Sequence, residues 1–138
     1  MKCFFDSNVV INALTNRAGA VEAERRLLYS ATVGEIAGVM SAKQMTDIYY
    51  VLRKYIPNDQ SRRELISILL QGFEIVDTDK YLLSNALSSE TEDFEDAVIV
   101  ESAKKAGVSF LITNDAKGFR LGKMEIKTPA EAISILGV

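Results

Sequence analysis

The sequence predicts an α/β fold with a mainly parallel β-sheet. Short apolar runs of strand length alternate along the chain with longer segments whose apolar residues recur at helical spacing. This alternation is typical of parallel strands joined by helices. Two of the runs end in acids, in Phe4-Phe5-Asp6 and in Leu111-Ile112-Thr113-Asn114-Asp115. Sites in open parallel sheets form at the carboxyl ends of strands, so these acids are the first candidates for function.

The first half of the chain predicts two short strands and four helices. In order, these are a strand at 2–5, helices at 9–14 and 20–35, a strand at 38–40, and helices at 42–55 and 59–71. Asp6-Ser7-Asn8 after the first strand and Ser41 after the second are typical helix starts. Asp59 is predicted to N-cap the fourth helix, and Gly72 to stop it.

The second half predicts three strands and three helices. In order, these are a strand at 73–76, helices at 79–88 and 93–106, strands at 109–113 and 124–127, and a helix from Pro129. Gly107 is placed to end the helix at 93–106, and a proline is well suited to a first helical turn. Residues 114–122 are predicted as a loop with one helical turn.

Composition limits the chemistry that the chain can carry. Its 138 residues are the usual size of one domain, predicted here as residues 1–138. The absence of histidine excludes Ser-His-Asp and Cys-His machinery, and a lone Cys3 excludes the common structural zinc sites. No apolar run approaches the roughly 20 residues that span a membrane. A single cysteine fits a reducing compartment, so we expect a cytoplasmic protein that does not enter a membrane.

Charge is unevenly distributed along the chain. The net charge is −3, with nine Lys/Arg against six Asp/Glu in residues 1–63 and seven against thirteen in residues 64–138. An acidic balance argues against a protein that coats nucleic acid nonspecifically. The pairs Arg25-Arg26, Arg53-Lys54 and Arg62-Arg63 form either a local phosphate-facing surface or ordinary solvated helix faces.

Five aspartates stand at positions that suit a site, although each also has an ordinary structural explanation. Asp6 follows the first strand, where it could cap the next helix. Asp47 interrupts an apolar helix face, where it could simply face solvent. Asp93 and Asp96 lie on one face of a first helical turn, which the helix dipole favours. Asp115 follows the fourth strand, where it could form a turn.

Taken together, the acids predict a metal site. They come after the first strand, on the helix after the second strand, on the helix before the fourth strand, and after the fourth strand. Carboxylates that converge repel one another unless a cation neutralises them. Oxygen-only ligands select Mg²⁺ or Mn²⁺, which activate water and stabilise the oxygens of a phosphodiester. These residues therefore favour a metal-dependent phosphoryl or phosphodiester enzyme.

The ordered set of motifs resembles the PIN domain, the fold of VapC-type toxins and related ribonucleases. The resemblance runs over nearly the whole chain, through Phe5-Asp6-Ser7-Asn8-Val9-Val10-Ile11, Ser41 to Lys54, Asp93-Phe94-Glu95-Asp96-Ala97, Thr113-Asn114-Asp115 and Phe119. It implies a three-layer fold with a central, mainly parallel sheet of about five short strands flanked by helices. It also implies an Mg²⁺- or Mn²⁺-dependent endoribonuclease with an RNA substrate, a toxin role with an antitoxin protein as partner, and a homodimer.

The resemblance also assigns roles to individual residues. The catalytic, metal-binding acids would be Asp6, Asp47, Asp96 and Asp115, with Asp93 as an accessory ligand. Carboxylates or water would be oriented by Ser7, Asn8, Thr113 and Asn114. The chain departs from the family pattern at Asp47, where glutamate is usual, and at Asn114, where basic residues are often seen. Contact with substrate phosphate must therefore come from elsewhere.

Two other functions remain open from the sequence. A catalytically weak PIN domain would bind RNA or a protein partner through the same surface, and the shorter Asp47 favours it. A phosphatase or receiver domain would also place an acid at a strand end. The former would need a second aspartate where Asn8 stands, and the latter would need paired acids where only Asp6 is present.

Overall fold

Five parallel strands form one sheet in the computed structural model, which describes residues 1–138 apart from the side chains of Arg120 and Leu121. The strands are β1 (Lys2–Phe5), β2 (Ala37–Ser41), β3 (Glu74–Val76), β4 (Phe110–Ile112) and β5 (Ile126–Lys127). Their order across the sheet is β3-β2-β1-β4-β5. The predicted fold class, the parallel sheet and the five short strands are confirmed.

Helices connect the strands at each predicted position. They are α1 (Ser7–Thr15), α2 (Glu22–Thr32), α3 (Ala42–Leu52), α4 (Asp59–Gly72), α5 (Lys80–Leu87), α6 (Phe94–Ala106) and α7 (Pro129–Leu136), with a 3-10 helix at Ala116–Gly122. Gly107 ends α6 in the left-handed conformation (φ 68°), as its position predicts. Of the helices described, none is both long and apolar enough to cross a bilayer.

The start of α4 differs from the prediction by one residue. Asn58, in extended backbone, is the N-cap, and its side chain accepts a hydrogen bond from the Ser61 N–H at 3.0 Å. Asp59 is instead the first helical residue, and its carboxylate pairs with Arg63 at 2.7 Å. Asn and Asp are equally suited to cap a helix, so residue type alone does not choose between neighbours.

Gly72 is the last residue of α4 and not the residue after it. A Cβ at this position would lie 2.8 Å from the Cα of Thr32 in α2. Glycine therefore allows the backbones of α2 and α4 to approach each other closely.

Each face of the sheet is covered by its own apolar cluster, which gives three layers. Along β1, Cys3 and Phe5 pack on one face and Phe4 on the other, because side chains alternate along a strand. The first face is covered by α1, α2, α3, α4 and α7, and the second by α5 and α6. Strand order therefore places β1 and β4 side by side at the point where the chain changes direction across the sheet, the usual place for a ligand crevice.

Candidate metal centre

Asp6 stands at the carboxyl end of β1 and uses its carboxylate for the site rather than for the helix. It occupies the N-cap position of α1 but makes no side-chain cap hydrogen bond. Instead, the Thr113 hydroxyl donates to Asp6 Oδ2 at 2.7 Å. Burial raises the pKa of Asp6, the hydrogen bonds from the Thr113 hydroxyl and the Ser7 N–H oppose that rise, and the negative charge of Asp115 adds to it.

Thr113 connects the ends of β1 and β4. Its hydroxyl oxygen accepts a hydrogen bond from the Asp115 N–H at 2.9 Å while its proton goes to Asp6. The turn after β4 is also held by the Asn8 side chain, which accepts from the Asn114 N–H at 3.4 Å. Thr113 and Asn8 thus contact the segments that carry Asp6 and Asp115, whereas Asn114 contributes its backbone to this contact.

Asp96 enters the same region from the first turn of α6. Its N–H is capped by the carboxylate of Asp93 at 3.0 Å, so Asp93 performs the capping role. The pKa of Asp96 is raised to about 6, first by burial and then by the negative charges of Asp93, Asp6, Asp115 and Glu95. Carboxylates from β1, α6 and the turn after β4 therefore interact across one small volume.

Gly118, in the 3-10 helix, borders this volume, and its role was not predicted from the sequence. A Cβ at Gly118 would lie 2.6 Å from Asp96 Oδ2 and 3.4 Å from Asp115 Oδ2. Both carboxylate oxygens therefore lie close to Gly118. A larger residue at this position would therefore require the carboxylate of Asp96 to move.

Asp47 lies on the opposite wall of the cleft. This cleft, of about 360 Å³, is lined by Asp6 at the end of β1 and by residues of α1, α3 and α6, including Asp47 and Asp96. Asp47 is 48 % exposed, and its Oδ2 accepts a hydrogen bond from Lys43 Nζ at 2.5 Å. The structure therefore brings Asp47 to the cleft but engages its carboxylate with a lysine.

Gln44 is a second residue that sequence reasoning missed. Its side chain is buried at 1 % exposure, and its Nε2 donates to the Phe5 carbonyl at 2.9 Å and to Ser7 Oγ at 3.1 Å. Its Oε1 accepts from the Ser41 N–H at 2.7 Å, which completes a capping box on α3. The spacing Ser41-x-x-Gln44 was the available signal. Gln44 ties α3 to the backbone just before Asp6.

Most of the predicted basic surface does not face this cleft. Arg62 is 7 % exposed and donates to the carbonyls of Ile56 at 2.6 Å and Pro57 at 2.8 Å. It therefore holds the turn before α4. Arg53 lies over the ring of Tyr50, with 5.7 Å between the guanidinium carbon and the ring centroid, and Tyr50 lines the cleft.

The acids fit a hard divalent cation by chemistry and charge. In the part of the chain that the structure describes, no group of three or more acidic side chains is already arranged to hold one ion. Burial first, and then the repulsion between neighbouring carboxylates, raise the pKa values of Asp6 and Asp96, and a bound cation would offset both costs. The donors are oxygens alone, which suits Mg²⁺ or Mn²⁺. A cation bound by Asp6, Asp96 and Asp115 would relieve the repulsion between them.

The family model described as "PIN domain" matches residues 2–117. The chain belongs to the PIN domain family, as the motifs around Asp6, Asp96 and Asp115 indicate.

Solved structures confirm the fold. A toxin-antitoxin complex from Klebsiella pneumoniae is similar over 92 % of this chain and 97 % of that chain, with 20 % identity and a TM-score of 0.68. VapBC2 from Rickettsia felis, bound to a DNA fragment from its promoter, is similar over 93 % and 98 %, with 16 % identity and a TM-score of 0.69. VapC20 from Mycobacterium tuberculosis, described as a sarcin-ricin loop cleaving toxin, is similar over 84 % and 92 %, with 18 % identity and a TM-score of 0.64. No curated protein sequence gives a significant match.

Proposed function

We propose that this protein is an endoribonuclease that hydrolyses RNA phosphodiester bonds with Mg²⁺ or Mn²⁺. The observation that carries the proposal is the meeting of Asp6, Asp96 and Asp115 at the carboxyl ends of β1 and β4. These acids come from three separate elements, and their charges act on one another. Membership of the PIN domain family supports the choice of RNA as substrate.

In this proposal the metal is held by Asp6, Asp96 and Asp115. A bound divalent cation activates water and stabilises negative charge on the phosphodiester. Thr113 fixes the orientation of the Asp6 carboxylate, and through the Asp115 N–H it also fixes the turn that carries the third acid. Ser7 accepts a hydrogen bond from Gln44, which fixes the start of α1 next to these acids.

The two remaining acids act differently. Asp47 faces the site from α3, where its pairing with Lys43 leaves one carboxylate oxygen for water or metal. Asp93 caps α6 with one oxygen and serves as an accessory ligand only through the other.

The test compares Asp6→Asn with the wild type for cleavage of end-labelled RNAs in Mn²⁺. Loss of even a residue that orients a ligand lowers metal affinity or activity about 10- to 100-fold, so we expect at least that loss in cleavage. Chelation should abolish wild-type cleavage. Asp77→Asn is the matched control, because Asp77 follows β3 and does not line the cleft. Cleavage by Asp6→Asn at the wild-type rate would overturn the proposal.

We further propose that the protein acts as the toxin of a toxin–antitoxin pair, with an antitoxin protein as partner, and that it forms a homodimer. Support comes from the similar solved structures, which include complexes of toxins with antitoxins. Co-expression with the product of the adjacent reading frame, followed by co-purification and a growth assay, tests the partner. Light scattering tests the dimer.

A catalytically weak PIN domain that binds RNA is the second candidate. The ion pair between Asp47 and Lys43 favours it, because this pair already takes one of the two carboxylate oxygens that Asp47 could offer to a metal. Micromolar Mn²⁺ binding without cleavage of any RNA tested would select this alternative.

A further inference from the structure

We propose that the α3 wall of the cleft binds a single-stranded stretch of the substrate, with a base stacked on Tyr50 and a backbone phosphate against Lys43. The proposal rests on the proposed RNA substrate and names residues that would hold it. Neither Tyr50 nor Lys43 belongs to the acidic set that would bind the metal. Both line the cleft that also contains Asp6 and Asp96.

Tyr50 is exposed in a way that packing does not explain. It is 69 % exposed although it lies on a helix whose other face fills the core with Ile48 and Leu52. The Arg53 guanidinium lies 5.7 Å from the centroid of its ring. Nucleic-acid bases stack readily on such exposed rings, and an arginine beside the ring adds a cationic contact.

Lys43 supplies a positive charge inside an otherwise acidic cleft. It is the one cationic side chain among the described residues that line this cleft. Asp47 holds its Nζ, and the Thr78 hydroxyl accepts a hydrogen bond from its N–H at 3.2 Å. The lysine is therefore fixed in place before any ligand binds. This placement answers the need for a phosphate contact that Asn114 does not supply.

Lys43, Asp47 and Tyr50 lie on one face of α3, because they are separated by four and then three residues. Seven residues of α-helix span about 10 Å. A strand that stacked on Tyr50 and continued past Lys43 would therefore lead toward Asp6 and Asp96. Bases within a duplex are stacked on one another and are not available to an aromatic side chain, so this arrangement selects unpaired nucleotides.

The exposed ring of Tyr50, with Arg53 beside it and Lys43 in the same cleft, favours nucleic acid over a protein partner at this wall. An apolar groove of about 450 Å³ does exist between α3 and α4, and it is lined by Met45, Thr46, Tyr49, Arg63, Ile66, Ser67 and Leu70. Tyr50 and Lys43 do not line that groove. Tyr50 lies beside the cationic Arg53, and Lys43 lies beside Asp47 in the cleft that contains Asp6 and Asp96, which matches a phosphate backbone near a metal site.

The experiment measures binding of a fluorescent single-stranded RNA and of the matching duplex to the full chain. Ca²⁺ is present to neutralise the carboxylates, and a gel checks that the RNA stays intact. The test variants are Tyr50→Ala, Tyr50→Phe and Lys43→Gln. The matched controls are Tyr81→Ala, a 76 % exposed tyrosine on α5, and Lys104→Gln, a lysine that pairs with Glu101 on α6.

We expect Tyr50→Ala to weaken single-strand binding by roughly 5- to 150-fold, with Tyr50→Phe close to wild type and duplex binding unchanged. Lys43→Gln should reduce the slope of log Kd against log salt by about 0.7, the loss of one phosphate contact on a single strand. Manganese binding, measured by calorimetry, should survive in both Tyr50 variants and in Lys43→Gln.

Equal single-strand affinity for Tyr50→Ala and Tyr81→Ala would overturn the inference, as would equal losses on duplex and single strand. Loss of self-association in Tyr50→Ala with RNA binding intact would assign the wall to a protein interface and also overturn it. If RNA binding depends on Tyr50 but the wild type cleaves no RNA, the binding surface is supported and the proposed catalysis is overturned. If the wild type cleaves RNA but its binding does not depend on Tyr50, the catalysis is supported and the binding surface is overturned.

Discussion

At the residue scale, hydrogen bonds decide which acids serve the site and which serve a helix. Asp6 and Asp93 both stand at the N-cap positions of their helices. Thr113 draws the carboxylate of Asp6 into the cleft, whereas Asp93 accepts from the N–H of Asp96. The partner that separates these two cases is more than 100 residues away in the chain, so local sequence could not reveal it.

Gln44 illustrates the opposite case, a residue whose local role concealed a distant one. The sequence contains a capping box at Ser41-x-x-Gln44, and the structure forms it. The same amide also reaches across to the Phe5 carbonyl and Ser7 Oγ. A capping signature gives no indication of such a contact, because it depends on α3 packing against the end of β1.

Gln44→Leu should lower the free energy of unfolding by about 1–3 kcal/mol. The substitution conserves much of the volume but leaves the Ser41 N–H and the Phe5 carbonyl buried without this partner. Urea denaturation followed by circular dichroism measures the change. Gln71→Leu is the control, because Gln71 is an exposed glutamine on α4, and surface substitutions usually change stability by less than about 0.5 kcal/mol. Equal stability of the two variants would show that the Gln44 contacts contribute nothing.

At the scale of elements, the sequence predicts which strands and helices form and in what order, but it predicts the residues where they begin and end less accurately. Apolar runs and helical spacing identify all the strands and helices described here. The ends of helices depend on individual caps, and the one-residue shift from Asp59 to Asn58 shows how closely two cap candidates compete. The predicted helix at 20–35 is shorter in the structure, ending at Thr32 before Gly34 takes a positive φ of 82°.

Asp93→Ser separates the capping role of Asp93 from its predicted role as an accessory metal ligand. Serine caps a helix about as well as aspartate, so the free energy of unfolding should change by less than about 0.5 kcal/mol. The pKa of Asp96 should fall, because the charge of Asp93 is one cause of its rise. Calorimetric titration with Mn²⁺ and NMR titration of the Asp96 carboxyl measure these effects.

If Asp93 only caps α6, the affinity of Asp93→Ser for Mn²⁺ should be within about 10-fold of wild type. A larger loss, of the size expected for a ligand, would place Asp93 in the metal shell. Asp93→Ala is the companion variant, since it removes both roles and should cost about 1 kcal/mol of stability. A stability loss in Asp93→Ser equal to that in Asp93→Ala would contradict the cap assignment.

At the scale of the whole molecule, the order of strands creates the site. The chain predicts five strands, but their order across the sheet follows from which helices pack on which face. The order β3-β2-β1-β4-β5 places the ends of β1 and β4 together, although more than 100 residues separate them. We propose that residues 1–138 act as one domain, since β5 extends the sheet and α7 contributes Ala132 to the cluster that contains Phe5.

Burial of Asp96, together with the like charges around it, makes the stability of the fold depend on pH. The ordinary pKa of Asp96 is 3.8, and in the fold it is about 6. Between these values Asp96 is protonated in the folded protein and charged in the unfolded chain, so its contribution to the free energy of unfolding falls as pH rises from about 4 to 6. Linkage alone would give up to about 3 kcal/mol, and solvent screening of the partly exposed carboxyl reduces this to about 1 kcal/mol.

Asp96→Asn removes the titrating group and keeps the shape of the side chain. We therefore expect the variant to become more stable relative to the wild type as pH rises from 4 to 7. Carboxyls with a lowered pKa, such as Asp79, affect both proteins equally, so their effect on stability cancels in this comparison.

Saturating Mn²⁺ at pH 7 should stabilise the wild type by about 2.7 kcal/mol at 100 times the Kd and leave Asp96→Asn nearly unchanged. Urea titrations at pH 4, 5, 6 and 7, with and without Mn²⁺, measure both effects. The opposite result would be a free energy of unfolding that, without metal, rises with pH in the wild type relative to Asp96→Asn. It would show that the acids at this edge do not repel one another. The electrostatic argument for a cation there would then fail.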